Sequence, residues 1–226
     1  MTTRLLVATL LCSLAIPLAS AAISLSSADT FTADNEGWQV GGAGVQPSYN
    51  SGNSFNGQPG FLSHYSDGGG ANGKWLMWSA QADWTGDYAA AGVAGISFWA
   101  NVTSGANIDM RVAISGTGGV FSTNPITFAS GSDWTKYTFN LEASSMNYVG
   151  GGTNDFASTL SSVNKLEIFG GAGNPVFKSS NGGFAEAGTS GNTISIDNVA
   201  AIPEPFTSAI AIGGFALMFG VRRVRR

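Results

Sequence analysis

Cysteine and histidine are almost absent from this sequence, which contains one residue of each, Cys12 and His64. A structural zinc site needs several of these side chains together, so this type of site is excluded. His64 would have to serve as the base of any Ser-His-Asp triad, yet no G-x-S-x-G motif accompanies it, and we interpret it as an ordinary strand or loop residue. Without disulfide bonds, the protein must be stabilised by its hydrophobic core.

Charged residues are also scarce, at 11% of the chain. The segment 22–202 contains five basic and thirteen acidic residues, which give it a net charge of minus eight. An acidic surface repels phosphate backbones, so we expect no nucleic-acid partner. Few charges, 32 glycines and six tryptophans are typical of an extracellular β-protein, and the length fits one domain.

The N-terminal segment, residues 1–21, is predicted to be a secretory signal peptide. Arg4 precedes an apolar run that begins at Leu5, and small residues follow the run, so cleavage is expected at Ala21 or Ala22. The alternative is a retained membrane helix, but the run is short and leads directly into a polar segment. The sequence therefore predicts export, with the Sec machinery as a partner.

Strands are predicted wherever apolar and polar residues alternate. Such runs, separated by Gly, Asn and Ser clusters, occupy 95–102, 107–114, 136–141, 165–170 and 193–199. The first two are expected to form a hairpin across the loop SGAN. Helical spacing occurs in NDFASTLSSVNKL, which predicts one short helix. We therefore predict a mainly β fold, an antiparallel β-sandwich of the jelly-roll class, with hydrophobic helices added at the two ends of the chain.

Five motifs occur in the same order as in the laminin B (laminin IV type A) domain: FTADNEGW, WLMWSAQADWTGDYAAAGVAGISFWA, DWTKYTFNLEASSMNYV, NDFASTLSSVNKLEIFGG and ISIDNV. Residues 31–199 therefore resemble this family, although Gln81 replaces its usual proline and Trp84-Thr85 its usual Phe-Leu. The resemblance implies a galactose-binding-like jelly roll over residues 22–202 that binds a ligand or serves a structural role, without catalysis and without an organic cofactor.

A structural calcium ion is also implied, because related carbohydrate-binding jelly rolls hold one between an Asp of the last strand and an acid after the first Phe. Asp197 matches the first position, whereas Thr32 stands at the second. The alternative is that Asp197 only accepts hydrogen bonds from backbone amides.

The C-terminal segment, residues 203–226, resembles the PEP-CTERM sorting signal of Gram-negative bacteria. It consists of a motif, an uncharged run over 206–220 and an arginine cluster; the motif and cluster residues are Pro203, Glu204, Pro205, Arg222, Arg223, Arg225 and Arg226. As a helix the run spans about 22 Å, which is less than the roughly 30 Å of a hydrocarbon core, and the arginines favour a cytoplasmic end. The resemblance implies transient anchoring in the inner membrane, cleavage by an exosortase-type membrane protease and delivery to the cell surface or extracellular matrix. A buried C-terminal helix is the alternative.

Catalytic motifs are not convincing. The stretch GGGANGKW (68–75) has the Gly and Lys spacing of a phosphate-binding loop, but Trp75 stands where a hydroxyl residue should hold the metal, so we interpret the stretch as a loop. A glycosidase needs two facing carboxylates. The candidate carboxylates are Asp83, Asp87, Glu142 and Glu167. Each of them also suits a structural position in a turn or on the polar face of a strand.

Three side chains, Trp99, Arg111 and Lys136, are predicted to point away from the apolar faces of their strands and are the candidate ligand-binding residues. If these faces share one surface, Trp99 and Arg111 form a platform on which a sugar ring stacks. Burial of Trp99 beneath a loop is the alternative. The remaining tryptophans are predicted to be core residues: Trp38, Trp75, Trp78, Trp84 and Trp134.

Two functions follow from these observations. The first is a non-enzymatic surface or extracellular-matrix protein whose jelly roll contacts exopolysaccharide. The second is a polysaccharide-active enzyme on the same fold.

Overall fold

The computed structural model describes residues 22–41, 45–67, 74–171, 173–179, 183–186 and 191–203. The predicted signal peptide, loop 68–73 and all of the predicted sorting signal except Pro203 lie outside these ranges. Within them, no helix has the length and apolar character needed to cross a bilayer.

Strands make up most of the described chain. In chain order they are β1 (Ala28–Asp29), β2 (Gln39–Val40), β3 (Ser48–Asn53), β4 (Pro59–Tyr65), β5 (Leu76–Ser79), β6 (Val93–Ser104), β7 (Ile108–Gly116), β8 (Gly119–Thr123), β9 (Ile126–Phe128), β10 (Thr135–Asn140), β11 (Met146–Gly150), β12 (Lys165–Gly170), β13 (Val176–Lys178), β14 (Phe184–Glu186) and β15 (Thr193–Pro203). The helices are α1 (Tyr88–Ala91) and α2 (Phe156–Leu160), with 3-10 turns at Phe55–Gly57, Ala82–Trp84 and Ala143–Ser145. Helix α2 is the predicted one, whereas α1 was not predicted.

The strands form two antiparallel sheets that enclose one core. Sheet A has the order β10-β6-β15-β4-β3, with β1 also paired to β15. Sheet B has the order β11-β8-β7-β12-β5-β2, with β9 also paired to β7. Strands β13 and β14 pair only with each other, as a separate hairpin. The predicted antiparallel β-sandwich of the jelly-roll class is confirmed.

The core lies between the sheets and is supplied by the predicted alternation. In β7 every second residue from 108 to 114 is apolar, and all four are buried: Ile108, Met110, Val112 and Ile114. Across from them in sheet A, Phe98 stacks on Phe139 with ring centroids 5.5 Å apart and an interplanar angle of 12°. Burying such large apolar surfaces is the main favourable term in folding, and it replaces the disulfide bonds that the chain lacks.

The predicted hairpin between β6 and β7 is wrong. Strand β6 pairs with β10 and β15 in sheet A, whereas β7 pairs with β8, β9 and β12 in sheet B. Both strands have one apolar face, but the two faces meet across the core instead of lying side by side. Gly105 in the connection has φ +97°, and a Cβ there would lie 2.7 Å from the Asn192 side chain, which donates a hydrogen bond to the Ala106 carbonyl. Glycine at this position therefore lets the chain cross between the sheets without displacing Asn192.

A buried carboxylate anchors the first strand to the core. Asp29 is 3% exposed, and its Oδ2 accepts hydrogen bonds from the Nε1 atoms of Trp38 and Trp84, each at 2.5 Å. Glu36 lies beside it and shares a hydrogen bond with it. Burial and the charge of Asp29 raise the pKa of Glu36 to about 7, and burial also raises the pKa of Asp29. The two acids therefore lie side by side, and the Trp38 and Trp84 indoles have no acceptor other than Asp29 among the described residues.

The tryptophans occupy three different environments. Trp38, Trp75 and Trp84 are core residues between the sheets, as predicted. Trp78 is buried too, but in a second apolar cluster on the outer face of sheet B. Trp134 is half-buried and contacts Phe61 edge-on, with centroids 5.5 Å apart, so the prediction that it is a core residue is wrong.

Candidate functional site

The outer face of sheet A carries two of the predicted binding residues. Lys136 and Asp197 are both paired with Trp99 across neighbouring strands, and paired residues of adjacent strands project on the same side. The three side chains therefore form one row on this face. Arg111 belongs to β7 in sheet B, so the expectation that Trp99 and Arg111 share one surface needs correction. Alternation shows that a side chain points away from the core, but it does not show which sheet carries it.

Trp99 is covered by the turn between β3 and β4. Phe55, in the 3-10 turn there, stacks on the Trp99 ring with centroids 4.3 Å apart and an interplanar angle of 6°. Phe55 therefore occupies a ring face on which a sugar would have stacked. The structure matches the alternative interpretation, in which Trp99 lies beneath a loop, while Lys136 remains exposed at the neighbouring strand.

The same turn closes over Asp197, the predicted calcium ligand. Its Oδ2 accepts a hydrogen bond from Ser54 Oγ at 2.5 Å, and its Oδ1 accepts one from the Asn198 backbone N–H at 2.6 Å. Burial raises the pKa of this carboxyl, and the two hydrogen bonds oppose the shift. Asp197 lines a cavity of about 300 Å³ and is the one acid among its described lining residues, the others being Thr30, Thr32, Phe55, Gln58 and Asn198.

Calcium binds six to eight oxygen atoms, with several carboxylates in its usual sites. Here both carboxylate oxygens of Asp197 already accept hydrogen bonds, and Thr32 brings no second charge. In the described part of the chain, no three His, Cys, Asp or Glu side chains gather as metal ligands. The residues present therefore do not fit a calcium site, and Asp197 acts as the hydrogen-bond acceptor that fixes the turn.

The outer face of sheet B is divided into a covered half and an open half. One row across the strands contains residues from β5, β12, β7, β8 and β11, which the pairing places side by side: Trp78, Glu167, Ala113, Ser122 and Asn147. The hairpin β13–β14 packs over part of this face and contacts β8, β11 and β12. Its Phe184 and Ala185 join Trp78 in the second apolar cluster.

A buried ion pair lies beneath this hairpin. Glu167 is fully buried, and its Oε2 accepts a hydrogen bond from the Ala185 backbone N–H at 3.0 Å. Lys165 Nζ lies 3.8 Å from the other carboxylate oxygen and 3.7 Å from the Phe184 ring centroid. Burial raises the pKa of Glu167 to about 8, although Lys165 and the backbone N–H both oppose the shift. The cluster holds the hairpin against the sheet and seals Glu167 from solvent.

The open half of the face forms a groove of about 500 Å³, which we call the amide groove. It is bordered by β8, β11 and the segment before β13, and it is lined by Arg111, Asn124, Pro125, Asn147, Tyr148, Val149, Asn174 and Pro175. Two Asn-Pro dipeptides lie on its walls, one after β8 and one before β13. Proline restricts the preceding residue to extended conformations, so each asparagine is held in a defined backbone geometry.

Hydrogen-bonding groups and apolar surface contribute equally to the lining of this groove. Asn147 Nδ2 donates to Asn124 Oδ1 at 3.0 Å, which fixes the two amides relative to each other. Tyr148 is 39% exposed, and its hydroxyl is held by a 2.7 Å hydrogen bond to the Gly152 carbonyl. Its ring packs against Phe121, with centroids 5.4 Å apart, and so borders the groove at the sheet edge. The arrangement suits a ligand rich in hydroxyl groups.

Arg111 was predicted to be a binding residue, and it does line a cavity. Its neighbours in this cavity are asparagine side chains and not Trp99. Its Nη1 donates to the Thr123 carbonyl at 3.2 Å and its Nη2 to the Gly173 carbonyl at 3.3 Å. Only 8% of the residue is exposed, and Nε is buried without a partner among the described residues. Burial lowers the pKa of Arg111, and the charge of Asp109 opposes this.

The four acids named as glycosidase candidates occupy separate elements. Asp83 lies in a 3-10 turn, Asp87 caps α1 by accepting from the Ala90 N–H, and Glu142 precedes another 3-10 turn. Glu167 is sealed beneath the hairpin. None of them lines the amide groove. His64 lies in β4 as predicted, with Nε2 2.9 Å from the Lys74 carbonyl.

The fold is shared with a known carbohydrate-binding module. CtCBM11, a family 11 module from Clostridium thermocellum, has 17% sequence identity, with 83% of this chain and 99% of that chain covered at a TM-score of 0.51. No protein-family model matches the sequence, and no curated protein is significantly similar to it. The protein is therefore a jelly-roll β-sandwich with the fold of CtCBM11, and its outer face carries an amide-lined groove.

Two more distant structures have related folds. A Clostridium thermocellum xylanase 10B structure, containing its CBM22-1 and GH10 modules with xylohexaose, has 14% identity over 81% of this chain at a TM-score of 0.46. This chain spans only 30% of that structure's length. The L4b domain of human laminin alpha-2 has 9% identity, with 74% of this chain and 97% of that domain covered at a TM-score of 0.38. Likeness at this level does not establish membership of the laminin family.

Proposed function

We propose that this protein is a non-catalytic carbohydrate-binding protein and that the amide groove is its binding site. The observation that carries the proposal is a solvent-open groove whose walls present three asparagine side chains and a guanidinium group. Its volume of about 500 Å³ lies within the usual range of small-molecule sites, roughly 300–1,000 Å³.

The amides suit sugars because each asparagine offers both a donor and an acceptor, as does each sugar hydroxyl. The contact between Asn147 and Asn124 uses one donor and one acceptor, and the remaining groups of the two side-chain amides have no partner among the described residues. Val149 and the prolines add apolar surface at the walls. A pyranose ring has the same mixture of hydroxyl groups and C–H surface.

The absence of a candidate catalytic pair in the groove supports the non-catalytic part of the proposal. Hydrolysis of a glycosidic bond requires an acid and a second carboxylate on either side of the bond. Among the residues that the structure describes, those lining the amide groove include no Asp or Glu. We therefore propose that the groove holds a polysaccharide and leaves it intact.

Affinity electrophoresis of the purified protein through gels containing soluble polysaccharides tests this proposal. Retardation is expected in at least one gel, and Asn147→Ala should reduce it. Asn140→Ala is the matched control, because Asn140 is an exposed strand asparagine on sheet A. Equal retardation of both variants would place the binding elsewhere, and no retardation in any gel would refute the function.

We also propose that the protein is exported and that an exosortase-type protease removes the C-terminal segment, leaving the domain at the cell surface or in the extracellular matrix. The sequence motifs support this, together with the position of Pro203, which is exposed and ends β15 opposite Val93. The motif therefore begins where the last strand ends. Mass spectrometry of the native C-terminus after cell fractionation is the test, and a membrane-bound form that retains Arg226 would contradict it.

A further inference from the structure

The amide groove contains a buried cation without an anionic partner. Arginine has five N–H donors, and two of those of Arg111 contact the neutral carbonyls of Thr123 and Gly173. Nε is buried and unpaired, and no carboxylate lies within ion-pair distance among the described residues. Buried charges in proteins are normally paired, because an isolated one loses its hydration without compensation.

The acids near Arg111 compensate its charge only in part. Asp109 lies two residues earlier on the same face of β7, and its charge opposes the lowering of the Arg111 pKa. Asp109 accepts a hydrogen bond from Thr127 Oγ1 at 2.6 Å, and among the described residues it forms no salt bridge with Arg111. Glu167, on the adjacent strand, is engaged by Ala185 and Lys165. The described lining residues of the groove include no acid, so an anion that enters it meets one positive charge and several amides.

We infer that the groove takes an acidic polysaccharide, with the carboxylate of a uronate sugar against the guanidinium group of Arg111. This inference rests on the proposed function and specifies its ligand class. A carboxylate fits because guanidinium binds it in a planar, two-point geometry that a lysine ammonium does not reproduce. Asn124, Asn147 and Asn174 then contact the ring hydroxyls next to the carboxylate. The net charge of the domain, minus eight, opposes the approach of any polyanion. Physiological salt screens charges beyond about 8 Å, so at the groove itself the nearby charge of Arg111 acts against this repulsion.

The test compares paired ligands that differ only in the carboxylate. Oligogalacturonate, oligoalginate and oligohyaluronan are each titrated calorimetrically into the purified protein, alongside their carboxyl-reduced counterparts and a panel of neutral glucans and xylans. We expect at least one acidic ligand to bind about tenfold or more tightly than its reduced partner, as loss of a two-point charged contact predicts. A sulfated glucan included in the series distinguishes a carboxylate site from a general anion site.

Variants separate recognition of the carboxylate from a structural role of Arg111. Arg111→Gln should remove the preference for the acidic partner, and Arg111→Lys should keep only part of it. Thermal unfolding of each variant checks that the groove still folds, and Asn147→Ala should weaken acidic and reduced ligands alike.

The outcomes separate the two proposals. Equal binding of acidic and reduced ligands, or binding of neutral glycans alone, would overturn the acidic ligand class and leave the proposed function standing. Preference for the sulfated glucan over every uronate would overturn the carboxylate assignment. Binding to no member of the series would overturn both. A preference that survives Arg111→Gln would overturn the role of this residue.

Discussion

Replacing Asp29 by alanine should destabilise the protein strongly, because two buried indole N–H groups depend on one carboxylate oxygen. Trp38 and Trp84 both donate to Asp29 Oδ2, and all three residues are almost fully buried. A buried donor left without a partner costs about 1–3 kcal/mol, so the free energy of unfolding should fall by about 2–6 kcal/mol. This is a large part of the roughly 5–15 kcal/mol that stabilises a typical domain.

Asp29→Asn is the informative comparison. The amide oxygen can still accept both indole hydrogens, and the substitution removes a buried charge that repels Glu36. We therefore expect Asp29→Asn to change the free energy of unfolding by less than about 1 kcal/mol. It should also bring the pKa of Glu36 down toward its ordinary value.

Urea unfolding followed by near-UV circular dichroism measures these changes, with Asp133→Ala as an exposed control expected to stay within about 0.5 kcal/mol of the unmodified protein. A loss below about 1 kcal/mol for Asp29→Ala would refute the reasoning, because a buried unpaired indole would then cost less than the lower limit given above. Equal losses for the alanine and asparagine variants would refute it as well, since the acceptor would then not be the cause.

Three further predictions concern the fold. Glu167 has a pKa of about 8 in the folded protein, above the 4.5 of an unperturbed Glu. Its contribution to the free energy of unfolding is therefore complete below pH 4.5 and is lost as the pH rises through about 8. The unmodified protein should therefore lose stability relative to Glu167→Gln between about pH 5 and about pH 9 in thermal unfolding, and parallel curves would contradict this. Phe98→Ala should cost about 3–5 kcal/mol in urea unfolding, because it removes a fully buried ring; a cost near zero would be inconsistent with the described core. A Cβ at Gly60 would lie 1.9 Å from the Phe31 carbonyl oxygen, whereas one at Gly57 meets nothing within 4 Å, although both have positive φ. Gly57→Ala should thus cost about 1–2 kcal/mol and Gly60→Ala clearly more, and similar costs would argue against this close approach.

Alternation predicted β6, β7, β10, β12 and β15, because apolar and polar residues alternate along each of these segments of the sequence. The other ten strands of the described chain were not among the predicted alternating runs, and two of them, β5 and β8, are buried on both faces. Every second residue of β7 is apolar, and those residues are buried. The partner of each strand is not a local property. The loop SGAN has the length of a hairpin loop, yet it connects two sheets, so Trp99 and Arg111 are on opposite faces of the sandwich.

The amide groove could not be predicted from local patterns. Two of its asparagines, Asn124 and Asn174, stand in turn-like segments, where asparagine is common for backbone reasons alone, and the third, Asn147, lies in strand β11. The repeated Asn-Pro dipeptide, at 124–125 and 174–175, was the one available signal, and it acquires meaning only when the fold places both copies on one groove. Hairpin β13–β14 was not predicted either, because it lies in a glycine-rich segment. Its Phe184 nevertheless belongs to the second apolar cluster, and Phe177 packs against that cluster.

Nuclear magnetic resonance tests the central claim most directly, by titrating the best-binding saccharide into ¹⁵N-labelled protein and following the side-chain amide signals. The account predicts that the largest shifts occur at Asn124, Asn147 and Asn174, the asparagines of the amide groove. Shifts concentrated instead around Trp99 and Lys136 on the outer face of sheet A would contradict it.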